Sequence, residues 1–235
     1  MSAILSTAAG GILAIDAAGP RAGVAILDET GATRARHIAE ARTGLTEILP
    51  LLVESALKDA GIAEESGQGD AGIALTAVAV TIGPGSFTGL RNAIALAQGY
   101  AAASGLPLLG VTVAEAFAVA FPTLHRPLWV AIRARRDRLF ILRDGLAEAY
   151  ADADIPRSRS PIALAGDAAR DVAARLAAAG HDVMLTNARL LDPVWVARAA
   201  LARQLAGLPP HPAQPIYVDP PEAKLPAGGL RPQPV

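Results

Sequence analysis

The sequence contains no cysteine, which excludes disulfides, thiolate metal sites and cysteine nucleophiles and fits a reducing compartment. Aromatic residues are also scarce, at 4% of the chain, although 52% of the residues are hydrophobic. The interior must therefore rely on close packing of alanine and aliphatic side chains. A chain of 235 residues suits one large domain or two small lobes that share a core.

An excess of charge of one sign is absent too, since 21 basic residues stand against 22 acidic ones. No global field therefore draws the chain to nucleic acid. The apolar runs end well short of the roughly 18 to 20 residues that a membrane span needs. The first residues lack the positive segment of a secretory signal. We therefore expect a cytoplasmic protein with no membrane partner.

The first half of the chain changes from alternating to helical spacing of its apolar residues. The elements predicted there are strands over 11–16, 22–27 and 33–40, a helix over 44–60, a strand over 77–82, a helix over 88–104, a strand over 108–113 and a helix over 114–120.

The second half repeats this order in shortened form. Its predicted elements are strands over 128–132, 139–143, 146–150 and 162–165, a helix over 167–179, a strand over 183–185 and a helix over 193–206. Two copies of one mixed pattern predict an α/β protein with lobes over 1–122 and 123–207. A proline-rich tail follows over 208–235, in which only residues 216–218 are predicted to be ordered.

Residues 81–91, TIGPGSFTGLR, lie where a predicted strand ends and a helix begins. A serine nucleophile on such a turn needs glycines two positions before and two positions after it. Pro84 and Thr88 occupy those positions around Ser86, so a serine hydrolase is not indicated.

Two explanations of this turn remain open. It could bind an anion at the N-terminus of the helix, although the lysine of the Walker motif is absent. Alternatively, its glycines only permit positive φ angles and close packing. The groups available for anion binding are the backbone of Gly83, Gly85, Ser86 and Gly89 and the side chain of Arg91.

Three further features are candidates for function. Asp16 closes the first predicted strand, where a carboxylate could hold a metal–phosphate complex or simply start a turn. The basic cluster Arg133–Arg138 could contact nucleic acid or form a solvated hairpin tip. The four histidines have no metal-ligand spacing, so no metal site is predicted.

Several segments together resemble one family, the bacterial TsaB (YeaZ) proteins. They are residues 12–16 (ILAID), 83–91 (GPGSFTGLR) and 108–112 (LLGVT). The stretch 131–136 (AIRARR) is similar to the A-I-D-A-R-R segment of that family, and 215–218 (PIYV) to its closing P-x-Y-L. TsaB proteins are needed for threonylcarbamoylation of the adenosine beside the tRNA anticodon.

The resemblance implies an actin-like ATPase fold with two ribonuclease-H-like lobes. It implies a non-catalytic scaffold that pairs with a catalytic TsaD paralogue, recruits the ATPase TsaE and meets tRNA through the complex. ATP and metal are then expected in the partners and not in this chain. Whether the chain forms a homodimer alone stays open. The resemblance places the interface on the two long helices, where the residues chosen are Leu45, Ile48, Leu49, Leu52, Ile94, Gln98 and Ala101.

The chain departs from the family at three places. Gly44–Leu45 stand where many relatives have histidine and serine, Arg133 replaces an acid, and Ala17–Ala18 replace hydroxyl residues. These losses remove contacts to nucleotide or metal. They favour the interpretation of the turn, together with Asp16, as a vestige of a nucleotide site.

Two enzymatic alternatives follow from the same resemblance. One is an ATPase or small-molecule kinase that uses Asp16 and the turn over 83–89. The other is an M22-type metallopeptidase, which the missing metal ligands disfavour.

Overall fold

Two five-stranded mixed sheets form the framework of the protein. A computed structural model describes residues 10–40, 45–62, 73–134 and 138–218. None of the helices in these ranges has the length and apolarity needed to cross a lipid bilayer.

The first sheet has the strand order β3-β2-β1-β4-β5. Strands β1 to β3 are antiparallel, whereas β4 and β5 run parallel to β1. The central strand β1 is buried along its whole length, because apolar residues occupy both of its faces. The elements are β1 (Gly11–Asp16), β2 (Arg21–Leu27), β3 (Thr33–Glu40), α1 (Leu45–Asp59), β4 (Leu75–Gly83), α2 (Phe87–Ser104), β5 (Leu108–Thr112) and α3 (Val113–Ala118).

The second sheet has the order β10-β9-β6-β7-β8 and the same pattern of parallel and antiparallel pairs. Its strand β6 takes the place of β1, and β9 takes the place of β4. The elements are β6 (Leu128–Arg133), β7 (Arg138–Arg143), β8 (Leu146–Ala151), β9 (Ile162–Ala165), α4 (Ala169–Ala178), β10 (Val183–Leu185) and α5 (Pro193–Leu205).

This repeated topology confirms the predicted α/β fold with two ribonuclease-H-like lobes in an actin-like arrangement. The predicted strands and helices agree with the structure to within two residues at each end. Most of the loop expected over 61–76 lies outside the described residues.

Helix α5 packs on the first lobe, although its place in the sequence grouped it with the second. Its buried residues join one core with buried residues of β1 and β2. The side chain of Arg21 donates hydrogen bonds to the carbonyls of Leu190 and Leu191, at 3.1 and 2.6 Å. Arg36 pairs with Asp192, the N-cap of α5, at 2.6 Å. Spatial grouping therefore differs from chain order at this helix.

The end of the described chain also returns to the first lobe. Residues 209–218, which we call the strap, run beside β5 and the N-terminal end of α2. The N–H of Ile216 donates to the carbonyl of Ile82 at 2.8 Å. The ordered part of the tail therefore begins earlier than predicted, and residues 219–235 lie outside the described chain.

Candidate functional site

The glycine turn between β4 and α2 uses backbone N–H groups for hydrogen bonds within the protein. The N–H of Ser86 donates to the carbonyl of Ala18 at 2.7 Å. The hydroxyl of Ser86, which caps α2, accepts the N–H of Gly89 at 3.2 Å. Two of the donors predicted to bind an anion are therefore already occupied.

The glycines are required by the close approach of the loop that follows β1. A Cβ atom at Gly85 would lie 2.2 Å from the carbonyl oxygen of Ala18. One at Gly89 would lie 2.0 Å from that of Ala17. Gly83 has a φ of 109° and precedes a cis peptide bond to Pro84. Of the two explanations left open by the sequence, this geometry favours packing.

Asp16, at the end of β1, is 1% exposed. One carboxylate oxygen accepts the N–H of Ala18 at 3.0 Å. Burial raises the pKa of the Asp16 carboxyl to about 6, and the Ala18 N–H, Thr81 and Arg21 oppose that rise. The buried hydroxyl of Thr81, which lies near this carboxyl, has no hydrogen-bond partner of ordinary geometry among the described residues.

An enclosed carboxyl is poorly suited to a metal–nucleotide complex. Such a complex needs oxygens that can reach the ion directly or through water. Asp16 instead contacts its own loop, and the described residues contain no group of three potential ligands placed to hold a metal. The enclosure of Asp16 therefore does not favour the ATPase or kinase alternative, which needs this carboxyl.

The side chain of Arg91 binds the strap and does not contribute a donor to the glycine turn. Its guanidinium lies 3.9 Å from the centre of the Phe87 ring, and its Nε donates to the hydroxyl of Tyr217 at 2.9 Å. The rings of Phe87 and Tyr217 lie 5.4 Å apart. The predicted anion ligand is thus engaged in a cation–π and hydrogen-bonded cluster.

The equivalent position of the second lobe, the end of β6, holds Arg133. Its N–H donates to Asp167 at 2.7 Å, and its guanidinium pairs with Asp152, at 3.1 Å, and with Asp171. Arg138, from the same basic cluster, also has an interaction partner, while residues 135–137 lie outside the described chain. The guanidinium of Arg133 is therefore balanced by aspartates of its own lobe, and nucleic-acid contact by the cluster stays a prediction.

The six predicted interface residues whose side chains the structure describes fall into three groups. Leu49, Ile94 and Ala101 are buried against the first sheet, so the structure corrects their assignment to an exposed surface. Ile48 and Leu52 are half-buried. Gln98 is exposed and donates to the carbonyl of Ala213 in the strap at 3.4 Å, while the side chain of Leu45 lies outside the described part.

An exposed apolar residue on α1 was missed. Leu51 is 59% exposed and shares the outward face of the helix with Glu47, Glu54 and Lys58. The sequence could have indicated this exposure, because Leu51 lies at helical spacing from the charged residues of that face. Helix α2 lies beside α1, and its outward residues include Ala95, Gly99 and Ala102. We call Leu51 and these three residues the outer helix face.

These features define a two-lobed α/β protein of actin-like topology whose strand-end sites are closed by internal contacts. Comparison with known proteins extends this description. The family model described as TsaD, tRNA N6-adenosine threonylcarbamoyltransferase, matches residues 39–182. Because this match covers more than half of the chain, the protein belongs to the TsaD family, in which the predicted likeness to TsaB (YeaZ) is also confirmed.

Two sequence relatives show how far the likeness extends. The tRNA N6-adenosine threonylcarbamoyltransferase of Cereibacter sphaeroides is 48% identical over 65 residues, which are 28% of this chain and 16% of that protein. The TsaB protein of Haemophilus influenzae is 33% identical over 131 residues, or 55% of this chain and 51% of that protein. The matched segments thus span about half, or less, of these relatives.

Two solved structures from Pseudomonas aeruginosa share the fold along most of the chain. One is described as an uncharacterized protein with similarity to peptidase YeaZ and gives a TM-score of 0.70 at 23% identity. It matches 89% of this chain and 100% of its own. The other, YeaZ, gives 0.68 at 24% identity and matches 88% and 99% of the two chains.

Proposed function

We propose that the protein is a non-catalytic subunit in the biosynthesis of N6-threonylcarbamoyladenosine in tRNA, where it pairs with a TsaD-like catalytic chain. The observation that carries this proposal is the enclosed Asp16 in a member of a transferase family. A catalytic subunit would need accessible ligands for a metal or nucleotide at this strand end. Arg133 supports the same conclusion, because it fills the equivalent position in the second lobe.

The outer helix face is the proposed contact with the catalytic chain. Its small residues on α2 allow a close approach by a helix of the partner, and Leu51 offers an apolar side chain that projects from α1. A paralogue with the same two helices could form a four-helix contact here. The proposal replaces the buried Leu49, Ile94 and Ala101 by residues that a partner can touch.

The remaining partners follow from this assignment. A TsaE-like ATPase would bind the pair and not the isolated chain, and tRNA would be held by the complex. ATP and the catalytic metal would then lie in the partner subunits. We place the complex in the cytoplasm, and association of the chain with itself would compete for the outer helix face.

The direct test is the affinity of the purified chain for the TsaD-like protein of the same genome, measured by calorimetry. Leu51→Arg and Gly99→Arg should each weaken binding by about tenfold or more, since both put a charged side chain into the contact. Leu146→Arg is the matched control, because Leu146 is 64% exposed but lies on β8 of the second lobe. It should bind as the wild-type chain does.

Two outcomes would contradict the proposal at different levels. Unchanged binding by both helix variants would move the interface elsewhere but leave the pathway assignment intact. Mg²⁺-dependent ATP hydrolysis by the isolated chain, lost in Asp16→Ala, would replace the scaffold by an enzyme. The pathway itself is tested by the N6-threonylcarbamoyladenosine content of tRNA from depleted cells, which should fall and recover on complementation.

A further inference from the structure

The outer strand of the first sheet, β5, has an apolar sequence, LLGVT, and lies at the edge opposite β3. An open edge of this kind offers unpaired N–H and carbonyl groups to any other strand. Here the strap covers part of it. The N–H of Gly110 donates to the carbonyl of His211 at 3.1 Å, and the two residues form an antiparallel bridge.

The strap approaches β5 so closely that Gly110 is needed. A Cβ atom at this position would lie 2.8 Å from the carbonyl oxygen of Pro212 and 2.9 Å from that of His211. Both are backbone atoms, so relief would require the strap to move. The glycine is therefore matched to the strap.

Each end of the strap is anchored by side chains of the first lobe or of α5. Near its start, a carboxylate oxygen of Glu115 contacts both Arg203, at 2.7 Å, and His211, at 3.1 Å. Arg203 also donates to the carbonyl of Pro209 at 2.7 Å. At the other end, Tyr217 joins the Arg91 cluster described above. The contacts thus come from β5, α2, α3 and α5.

The composition of the strap prevents its own outer side from pairing with a further strand. Four of the seven residues over 209–215 are proline and have no N–H to donate. At the opposite edge of the sheet, β3 carries the exposed, charged side chains of Arg34 and Arg36, and charged residues on an edge strand disfavour pairing with another strand. The apolar β5 has no such charges and is covered by a segment poor in donors.

We propose that residues 209–218 are an intramolecular guard of the β5 edge, which keeps a second copy of this chain from pairing there. The guard acts by occupying the Gly110 amide and by presenting a proline-rich outer side. This role is separate from the outer helix face, and it holds whether or not the chain pairs with a TsaD-like protein.

The first test uses Gly110→Ala in the full chain, with Gly19→Ala as the matched control, because a Cβ atom at Gly19 meets nothing within 4 Å and Gly19 lies outside the outer helix face. In Gly110→Ala, hydrogen exchange of the amide at position 110 should accelerate by about tenfold or more. Light scattering after size exclusion should show association that rises with concentration beyond that of the wild type. Gly19→Ala should match the wild type in both measurements.

Two truncations separate the guard from the rest of the tail. A chain that ends at Leu208 should associate, whereas one that ends at Val218, with the strap kept, should not. If the chain ending at Leu208 fails to fold, His211→Ala/Tyr217→Ala removes one side-chain anchor at each end of the strap while leaving β5 intact, and it should give the same association. A folded strap-deficient chain that associates no more than the wild type, or equal association in both truncations, would overturn the proposal.

Discussion

The two lobes have one topology but close their equivalent sites in opposite ways. Strands β1 and β6 occupy the same place in sheets of the same order. The first ends in a buried carboxyl, Asp16, which has no cationic hydrogen-bond partner among the described residues. The second ends in Arg133, which is partly exposed and paired with aspartates. Burial closes one site and ion pairing the other.

The turns that follow β4 and β9 show what both lobes retain. Gly166, after β9, has a φ of 99°, and a Cβ atom there would lie 2.2 Å from the carbonyl oxygen of Ala131. The N–H of Ala168 donates to the same carbonyl at 3.1 Å, as Ser86 does to Ala18. Both lobes thus have a close crossing, in which this turn meets a backbone carbonyl of β6 or of the loop after β1.

Substitution of the crossing glycines should have the largest effect. Gly85→Ala and Gly166→Ala should each destabilise the fold by about 3 kcal/mol, because a backbone carbonyl blocks the new methyl group. Gly166→Ala should be the worse of the two, since its φ is also positive. Urea unfolding monitored by circular dichroism measures both values.

Gly99→Ala is the control for this comparison. It adds a methyl group in open space on α2 and should stabilise the chain by about 0.5–1 kcal/mol through helix propensity. Equal stability of the three variants would show that the crossings tolerate a side chain.

The second prediction concerns the buried carboxyl. Because the folded-state pKa of Asp16 is about 6, above the ordinary value of 3.8, the fold binds this proton more tightly than the unfolded chain. Its contribution to stability therefore falls as pH rises between these two values, and charged Asp16 costs about 2–3 kcal/mol at neutral pH. Asp16→Asn should recover most of that cost and flatten the pH dependence of unfolding.

Asp16→Ala sharpens this test. It removes the same charge but also the acceptor of the Ala18 N–H, so it should be less stable than Asp16→Asn by about 1 kcal/mol. A loss of stability in Asp16→Asn at neutral pH would show that the charged carboxyl stabilises the site.

The smallest effect is expected at the paired site. Arg133→Ala should cost only about 0.5–1 kcal/mol, because its ion pairs with Asp152 and Asp171 are solvent-exposed. The cost should shrink in about 0.5 M salt, where screening weakens exposed pairs. The stability gained by Asp16→Asn should not depend on salt. Similar salt dependence at both sites would erase the contrast between the lobes.

Local pattern was enough to predict the strands, the helices and the two-lobed fold, because alternation and helical spacing are properties of neighbouring residues. It did not reveal which side of α2 faces the sheet. Alanine and glycine occur on every face of that helix, so Ile94 and Ala101 could not be told from surface residues. Leu49, on α1, was assigned to the surface for a related reason. Leu51 and Leu52 follow within three positions, so the sequence does not show which of these leucines is buried.

Contacts between distant parts of the chain were also beyond the sequence. Arg91 meets Tyr217 across 126 positions, and nothing beside either residue indicates the other. The enclosure of Asp16 depends on the loops that fold over it, and its position at a strand end was all that could be predicted. The sequence identified the glycine turn as similar to a nucleotide-binding turn. Only the structure shows that the carbonyls of Ala17 and Ala18 pack against it.

The return of α5 and the strap to the first lobe has a consequence for synthesis of the chain. The first lobe leaves the ribosome early. One face of its sheet is nevertheless covered only by residues 193–205, and its β5 edge only by residues 209–218, which are made later. Contacts this distant in sequence slow folding and leave apolar surface uncovered meanwhile. The first lobe is therefore synthesised first but completed last, because its packing needs α5 and the strap, which are the last described parts of the chain to be made.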